Sequence, residues 1–212
     1  MEKSRNHIRV LDVLKWLMRL YILFLAGFYL ATGNLFNAMV FSFWFLATFT
    51  IYFLREYFRK FIHYSFDFLL TLAIFLHTLG TALGIPSLYT KIYFYDSMLH
   101  VVNSVIFTYF GFMILYLMNE HKVIKLEKKH MAAFAIMFTL SSGAVWEIGE
   151  FLWDSFVLPD APYLAQGGIG SGLEDTMIDL MSNTFASILT AIALLHLTYR
   201  KKERILKKVS KK

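Results

Sequence analysis

Glu147, Glu150 and Asp154 stand in the stretch Ala144-Val-Trp-Glu-Ile-Gly-Glu-Phe-Leu-Trp-Asp154, three carboxylates among apolar residues at i, i+3 and i+7. On a helix that spacing puts all three on one face, and Val145, Ile148 and Phe151 fall on the opposite one. Two other stretches have the same character. Asp96, His100 and Asn103 follow one another at i, i+4 and i+7, and Glu174 and Asp175 are followed by Asp179, Ser182 and Asn183. Carboxylates and imidazoles projecting from facing helices are the way helix bundles build metal sites. Oxygen-rich ligation with one or two histidines suits Zn, Mn, Mg or Fe. A carboxylate to spare can act as general base on a water whose pKa the metal brings to about 7. The pattern therefore assigns a divalent metal ion to Asp96, His100, Glu147, Glu150, Asp175 and Asp179. Glu147 doubles as the catalytic base, and His77, Asn103, Asp154 and Asn183 are further candidates.

The elements that must hold these residues are membrane-grade. The 212 residues are 58% hydrophobic and 18% aromatic with three prolines, against about 45–50% apolar in a soluble domain. Six apolar segments reach the roughly 20 residues that a bilayer demands, near 14–33, 36–55, 64–84, 94–118, 131–157 and 173–198. The expected fold is thus all-α, a polytopic membrane bundle of six transmembrane helices forming a single domain over 1–212, with a basic tail at 199–212. The basic start could open a signal peptide, but Gly27 to Gly33 offers no small-residue cleavage site, so a retained first helix is expected. Cysteine is absent, which excludes disulfides and thiolate metal sites. The third segment stops at Gly84-Ile-Pro86, and the fifth and sixth are joined by a loop over 158–172 rich in proline and glycine.

The formal charge of +6 does not point to nucleic acid, because the basic residues cluster at segment ends. Lys3, Arg5 and Arg9 precede the first segment, Arg55, Arg59 and Lys60 follow the second, Lys122, Lys125, Lys128 and Lys129 follow the fourth, and another cluster starts at Arg200. Lys91 is the exception in the alternate connections. The positive-inside bias then makes both termini cytoplasmic. With about 1.5 Å of rise per residue, the acids of the fourth, fifth and sixth segments, joined by His77 and Thr81 of the third, fall at one depth in the outer half of the bilayer. Unpartnered charge there is prohibitively costly, so the carboxylates must be protonated, hydrated or neutralised by a cation.

Plainer roles compete for several of these residues. Asp154, Asp160, Glu174 and Asp175 lie near the interface, where solvation or helix capping accounts for an acid, and Glu174 and Asp175 would favour a helix dipole. His77 reads first as a hydrogen-bonded packing residue and second as a ligand. Asp67 and His63 sit near Arg59 and Lys60, where pairing or snorkelling accounts for them, and His196 reads as structural.

Three fragments in order resemble the YjdF-type family of bacterial inner-membrane proteins: Tyr95-Asp-Ser-Met-Leu-His100, Trp146-Glu-Ile-Gly-Glu150 and Asp175-Thr-Met-Ile-Asp179. The first is also similar to VanZ-like membrane proteins. The resemblance spans roughly residues 60–195 and implies a small multi-helix membrane protein in which the same acidic and histidine positions matter. It implies no reaction.

Three functions suit this pattern. A membrane-embedded, metal-dependent hydrolase or transferase would act on a lipid-like small molecule within acyl-chain reach of the site. A transporter of divalent cations or protons would use the acids as the outer part of a path, with Asp67, Thr71 and Thr139 to Ser142 continuing it. A non-catalytic membrane factor would use them as a structural network of shared protons. The expected partners are membrane lipids with a lipid-like molecule or cation and no nucleic acid. The expected location is the cell membrane.

Overall fold

A computed structural model describes residues 2–58, 65–82, 87–157, 165–166 and 172–209, with side chains over 10–54, 65–82, 87–157, 165–166 and 172–199. The expected helix stop at 84–86, Arg59, Lys60, His63, residues 158–164 with Asp160, and residues 167–171 of the loop lie outside the described residues. So do the side chains of Lys3, Arg5, Arg9 and Arg55 and those of the tail from Arg200 onward.

Among the described residues every regular element is a helix: α1 (Glu2–Ala31), α2 (Leu35–Ala47), α3 (Thr50–Phe58), α4 (Ser65–Thr81), α5 (Leu88–Lys91), α6 (Tyr95–Glu120), α7 (Lys128–Leu152) and α8 (Gly172–Val209). A π-helical turn over Trp153–Val157 prolongs α7. Val10–Ala31, Leu35–Leu54, Tyr95–Glu120, Lys128–Val157 and Gly172–Tyr199 are long and apolar enough to cross a bilayer. The third expected span, 64–84, is described as the 17-residue apolar helix α4. At 1.5 Å per residue the described part is about 25 Å long, and residues 59–64 and 83–86 beside it lie outside the described residues.

The packing divides into two compact units, Met1–Tyr95 and Asp96–Lys212. In the first, α1 ends at Gly33, whose φ of +78° is the left-handed cap that glycine accepts without strain. Asn34 then starts α2, its side-chain oxygen accepting from the Asn37 amide at 3.1 Å. The core is Ile22, Leu25, Ala26, Phe41, Ile74 and Ala82 from α1, α2 and the α4 region. Tyr29 stacks on Phe41 with ring centroids 5.3 Å apart, and its hydroxyl donates to the Ala82 carbonyl at 3.0 Å.

The second span is interrupted between α2 and α3 at Thr48, which is fully buried. A break in a buried helix leaves carbonyls in need of donors, and α1 supplies them. Arg19 donates through Nη2 to the Thr48 carbonyl at 2.7 Å and through Nε to Thr48 Oγ1 at 3.1 Å. The same Nη2 lies 2.6 Å from Asp67 Oδ1, and Lys15 Nζ lies 2.7 Å from Asp67 Oδ2. The Arg19 guanidinium also sits over the Phe49 ring, 4.2 Å from its centroid. Asp67 is therefore paired, as its position suggested. The observed partners come from α1, and Arg59 and Lys60 lie outside the described residues.

The second unit is built from α6, α7 and α8. Each carries a stripe of residues four apart, so that successive members are neighbours on the helix surface. The stripes are Asp96, His100, Ser104, Thr108 and Phe112 on α6; Glu147, Gly143, Thr139, Ala135 and Met131 on α7; and Asp175, Asp179, Asn183, Ser187 and Ala191 on α8. All but Gly143 are buried. Each stripe is acidic or histidine-bearing at one end, small and polar in the middle and apolar at the other end. Phe112, Met131, Ala132, Ala135 and Ala191 form the apolar cluster there. Gly111 permits the close approach of α6 to α7, since a Cβ on it would lie 3.1 Å from Ala135 Cα. Thr108 and Thr139 join hydroxyls across the same two helices at 2.8 Å.

Candidate metal centre of the second unit

The stripes converge on His100. Its Nε2 lies 3.5 Å from Glu147 Oε1, 3.7 Å from Asp96 Oδ1 and 3.8 Å from Asp179 Oδ2. The three carboxylates come from α7, α6 and α8 respectively, so each helix brings an acid to one imidazole nitrogen. His100, Glu147 and Asp179 are 6%, 4% and 1% exposed, too buried for water to screen the charges. Both oxygens of Glu147 and of Asp179 are buried, and the hydroxyls beside them, Thr176 at Glu147 and Ser97 at Asp179, fall short of full hydrogen-bond geometry. Burying such groups without donors costs several kcal/mol, in order of magnitude, unless they are neutralised.

The spacing tells which neutralisation fits. A nitrogen–carboxylate pair in direct hydrogen bonding is about 2.7–2.9 Å apart, well under the distances seen. Ligand atoms at about 2.0–2.2 Å from a tetrahedral ion stand roughly 3.4 Å from one another. The separations around Nε2 lie close to that edge length. One ligand atom each from Asp96, His100 and Asp179 falls within 4.8 Å of the others. This set can hold a divalent ion through one nitrogen and two carboxylates, with Glu147 adjacent to it.

The other candidates from the sequence separate into distinct roles. Glu150 is half-buried. Its Oε1 accepts from Trp146 Nε1 at 2.8 Å, one turn back on α7, while its Oε2 is buried without a donor of sound geometry. Asp154 spends both oxygens on the loop, accepting from the Ala165 amide at 2.8 Å and the Gln166 amide at 2.9 Å. Gln166 reaches on through Nε2 to Thr176 Oγ1 at 3.1 Å. Asp175 is buried in the first turn of α8, where the helix dipole favours an acid, and Glu174 beside it is exposed. Asn103 is half-buried. The α6 residue that meets α8 is instead Ser104, whose hydroxyl donates to Asn183 Oδ1 at 2.7 Å. His77 belongs to the first unit, where its Nδ1 lies 2.8 Å from the Tyr89 hydroxyl and its ring meets Trp44 edge-on at 5.0 Å. That arrangement suits the packing role.

Ser104, Thr108 and Ser187 did not stand out in the sequence, because each is an unremarkable small residue until aligned four apart with the acids. Arg19 was missed for a different reason. It lies inside an apolar run, and its acidic partner is 48 residues away.

Comparison with known proteins gives the chain its relatives. Over 135 residues it is 34% identical to an uncharacterised protein of Thermotoga maritima, an alignment covering 63% of this chain. The matched stretch spans 62% of that relative's length. No solved structure matches. The model of the family described as predicted membrane protein (DUF2238) matches residues 13–201, and with several helices apolar enough to cross a bilayer this chain is a multi-pass membrane protein belonging to that family.

Proposed function

We propose that the second unit holds a divalent metal ion through Asp96, His100 and Asp179, and that it serves hydrolysis or group transfer on a lipid-like substrate with Glu147 as general base. The supporting observation is the placement of three buried carboxylates around His100 Nε2 at 3.5–3.8 Å, too far for direct pairing and close to ligand spacing. A metal ion bound there would supply Lewis acidity, bringing a bound water's pKa to about 7. Glu147, next to His100 and not among the three residues whose ligand atoms gather within 4.8 Å of one another, is placed to accept a proton from such a water. Asp96 and Asp179 would balance the ion's charge, and Glu150 and Asp175 would set the field around it. In this reading both termini are cytoplasmic and the site lies in the outer half of the bilayer, within reach of acyl chains. The YjdF-type resemblance agrees with it, since the three fragments carry these acids and His100.

The two other readings use the same acids. A cation or proton path would need polar groups to continue along the bundle, whereas the stripes end on the apolar Phe112, Ala135 and Ala191. A structural network of shared protons would draw on the hydroxyls of Thr176 beside Glu147 and Ser97 beside Asp179, and the metal measurement below separates it from a bound ion.

The test is elemental analysis of protein purified in mild detergent, with thermal unfolding before and after chelation. Near-stoichiometric Zn, Mn, Fe or Mg, lost in Asp179→Asn, supports the site. Absence of metal after reconstitution with each ion, together with unfolding that chelator leaves unmoved, sinks it. Glu147→Gln separates the roles further, since a base that is not a required ligand can be removed with the metal retained and turnover lost.

A further inference from the structure

We propose that Asn183, held by Ser104 and seated over Gly143, is the positioning residue that fixes the tautomer of His100 and thereby aims a bare Nε2 at the carboxylates. This rests on the metal-site reading for its purpose but not for its geometry. Asn183 Oδ1 lies 3.3 Å from His100 Nδ1 and accepts the Ser104 hydroxyl at 2.7 Å. A carbonyl oxygen only accepts, so the contact to the imidazole is a hydrogen bond when Nδ1 carries the proton. A neutral imidazole with hydrogen on Nδ1 has its lone pair on Nε2, the nitrogen that faces Asp96, Glu147 and Asp179. Metal-ligating histidines are held this way, the distal ring nitrogen donating to an oxygen that sets ring angle and basicity.

The placement is specific to this chain's packing. Asn183 is 3% exposed and Ser104 is 2% exposed, so neither amide nor hydroxyl has water as an alternative partner. Asn183 is also pressed against α7. A Cβ on Gly143 would come 3.1 Å from Asn183 Cγ and closer still to Nδ2. The α8 amide is thus pressed against α7 while its oxygen holds two residues of α6, Ser104 and His100. Asn183 was a candidate ligand on sequence grounds, but its oxygen is already shared by Ser104 and His100. The structure assigns it to support.

The experiment is nitrogen NMR of metal-free, histidine-labelled protein in lipid nanodiscs, the His100 signals identified by their loss in His100→Gln. A proton on Nδ1 and a bare Nε2 are expected in the unsubstituted protein, and the opposite tautomer or an imidazolium at neutral pH overturns the proposal. Titration with Co2+, followed by its visible bands, supplies the second readout. Asn183→Leu and Ser104→Ala should each weaken binding, Asn183→Leu by about 10–100-fold. Asn183→Asp, which keeps an acceptor oxygen, should recover most of that loss. Equal affinity in Asn183→Leu and the parent overturns the proposal even if the protein binds metal. No Co2+ binding by the parent, with the expected tautomer still present, would instead refute the metal-site reading and leave the positioning role standing.

Discussion

Replacing Gly143 by alanine puts the packing around Asn183 to the test, and the outcome can be worked from contacts. In a helix interior alanine is favoured over glycine by up to about 1 kcal/mol, so with free space the change stabilises. Gly149 on the same helix has that space, with nothing within 4 Å of an added Cβ. Gly143 does not. Its Cβ would fall well inside the 3.0 Å that real Cβ atoms respect from Asn183 Nδ2. The amide cannot swing away freely, because its oxygen is held by Ser104 and by His100. Overpacking of this kind costs about 1–3 kcal/mol. Gly143→Ala should therefore lie about 1–3 kcal/mol below Gly149→Ala, the shared propensity term cancelling. For a chain of this size that separates their Tm values by about 2–12 °C. The assay is thermal unfolding of both variants in one detergent, followed by helical circular dichroism, with metal affinity measured alongside. Affinity should fall in Gly143→Ala alone, because the displaced amide drags the support away from His100. Two variants of equal stability and equal affinity would refute the reasoning about Asn183.

Three further outcomes follow from other parts of the molecule. Asp67→Asn leaves the buried Arg19 facing an uncharged partner and should cost about 3 kcal/mol or more, read as a lowered Tm, and the joint change Arg19→Met with Asp67→Leu should not return it, because the Thr48 carbonyl and Lys15 then lose their partners too. Asp154→Ala should speed hydrogen exchange at the Ala165 and Gln166 amides while leaving metal affinity within a factor of about two, since both Asp154 oxygens are engaged by the loop; a large loss of affinity would place Asp154 among the ligands. Chelation of protein held at a hundredfold excess of metal over Kd should remove about 2.7 kcal/mol of stability, or about 5–11 °C in Tm, and Asp179→Asn should abolish that difference.

The sequence speaks clearly where the signal is periodic and local. The apolar runs fall within helices, although α1 starts at Glu2 and α8 runs to Val209, beyond the expected 14 and 198, and the i, i+4 spacing of Asp96 and His100 brought both to one buried face. It speaks less clearly where a rotation of one residue matters. Asn103 and Ser104 differ by about 100° around α6, and only the partner helix decides that Ser104 is the contact. Glu147 and Glu150 share a face by spacing, yet one meets His100 and the other bonds Trp146, because burial varies across a face as well as along it. The second span is interrupted at Thr48 where Arg19 provides the donors. Neither an internal break nor its remedy from another helix leaves a periodic trace.

The taper of the three stripes, from acids through hydroxyls to Phe112, Met131, Ala135 and Ala191, gives the three-helix unit a polarity along its axis. In the proposed reading, an ion or water arriving at the acidic end would find no polar partner on these stripes beyond Thr108, Thr139 and Ser187.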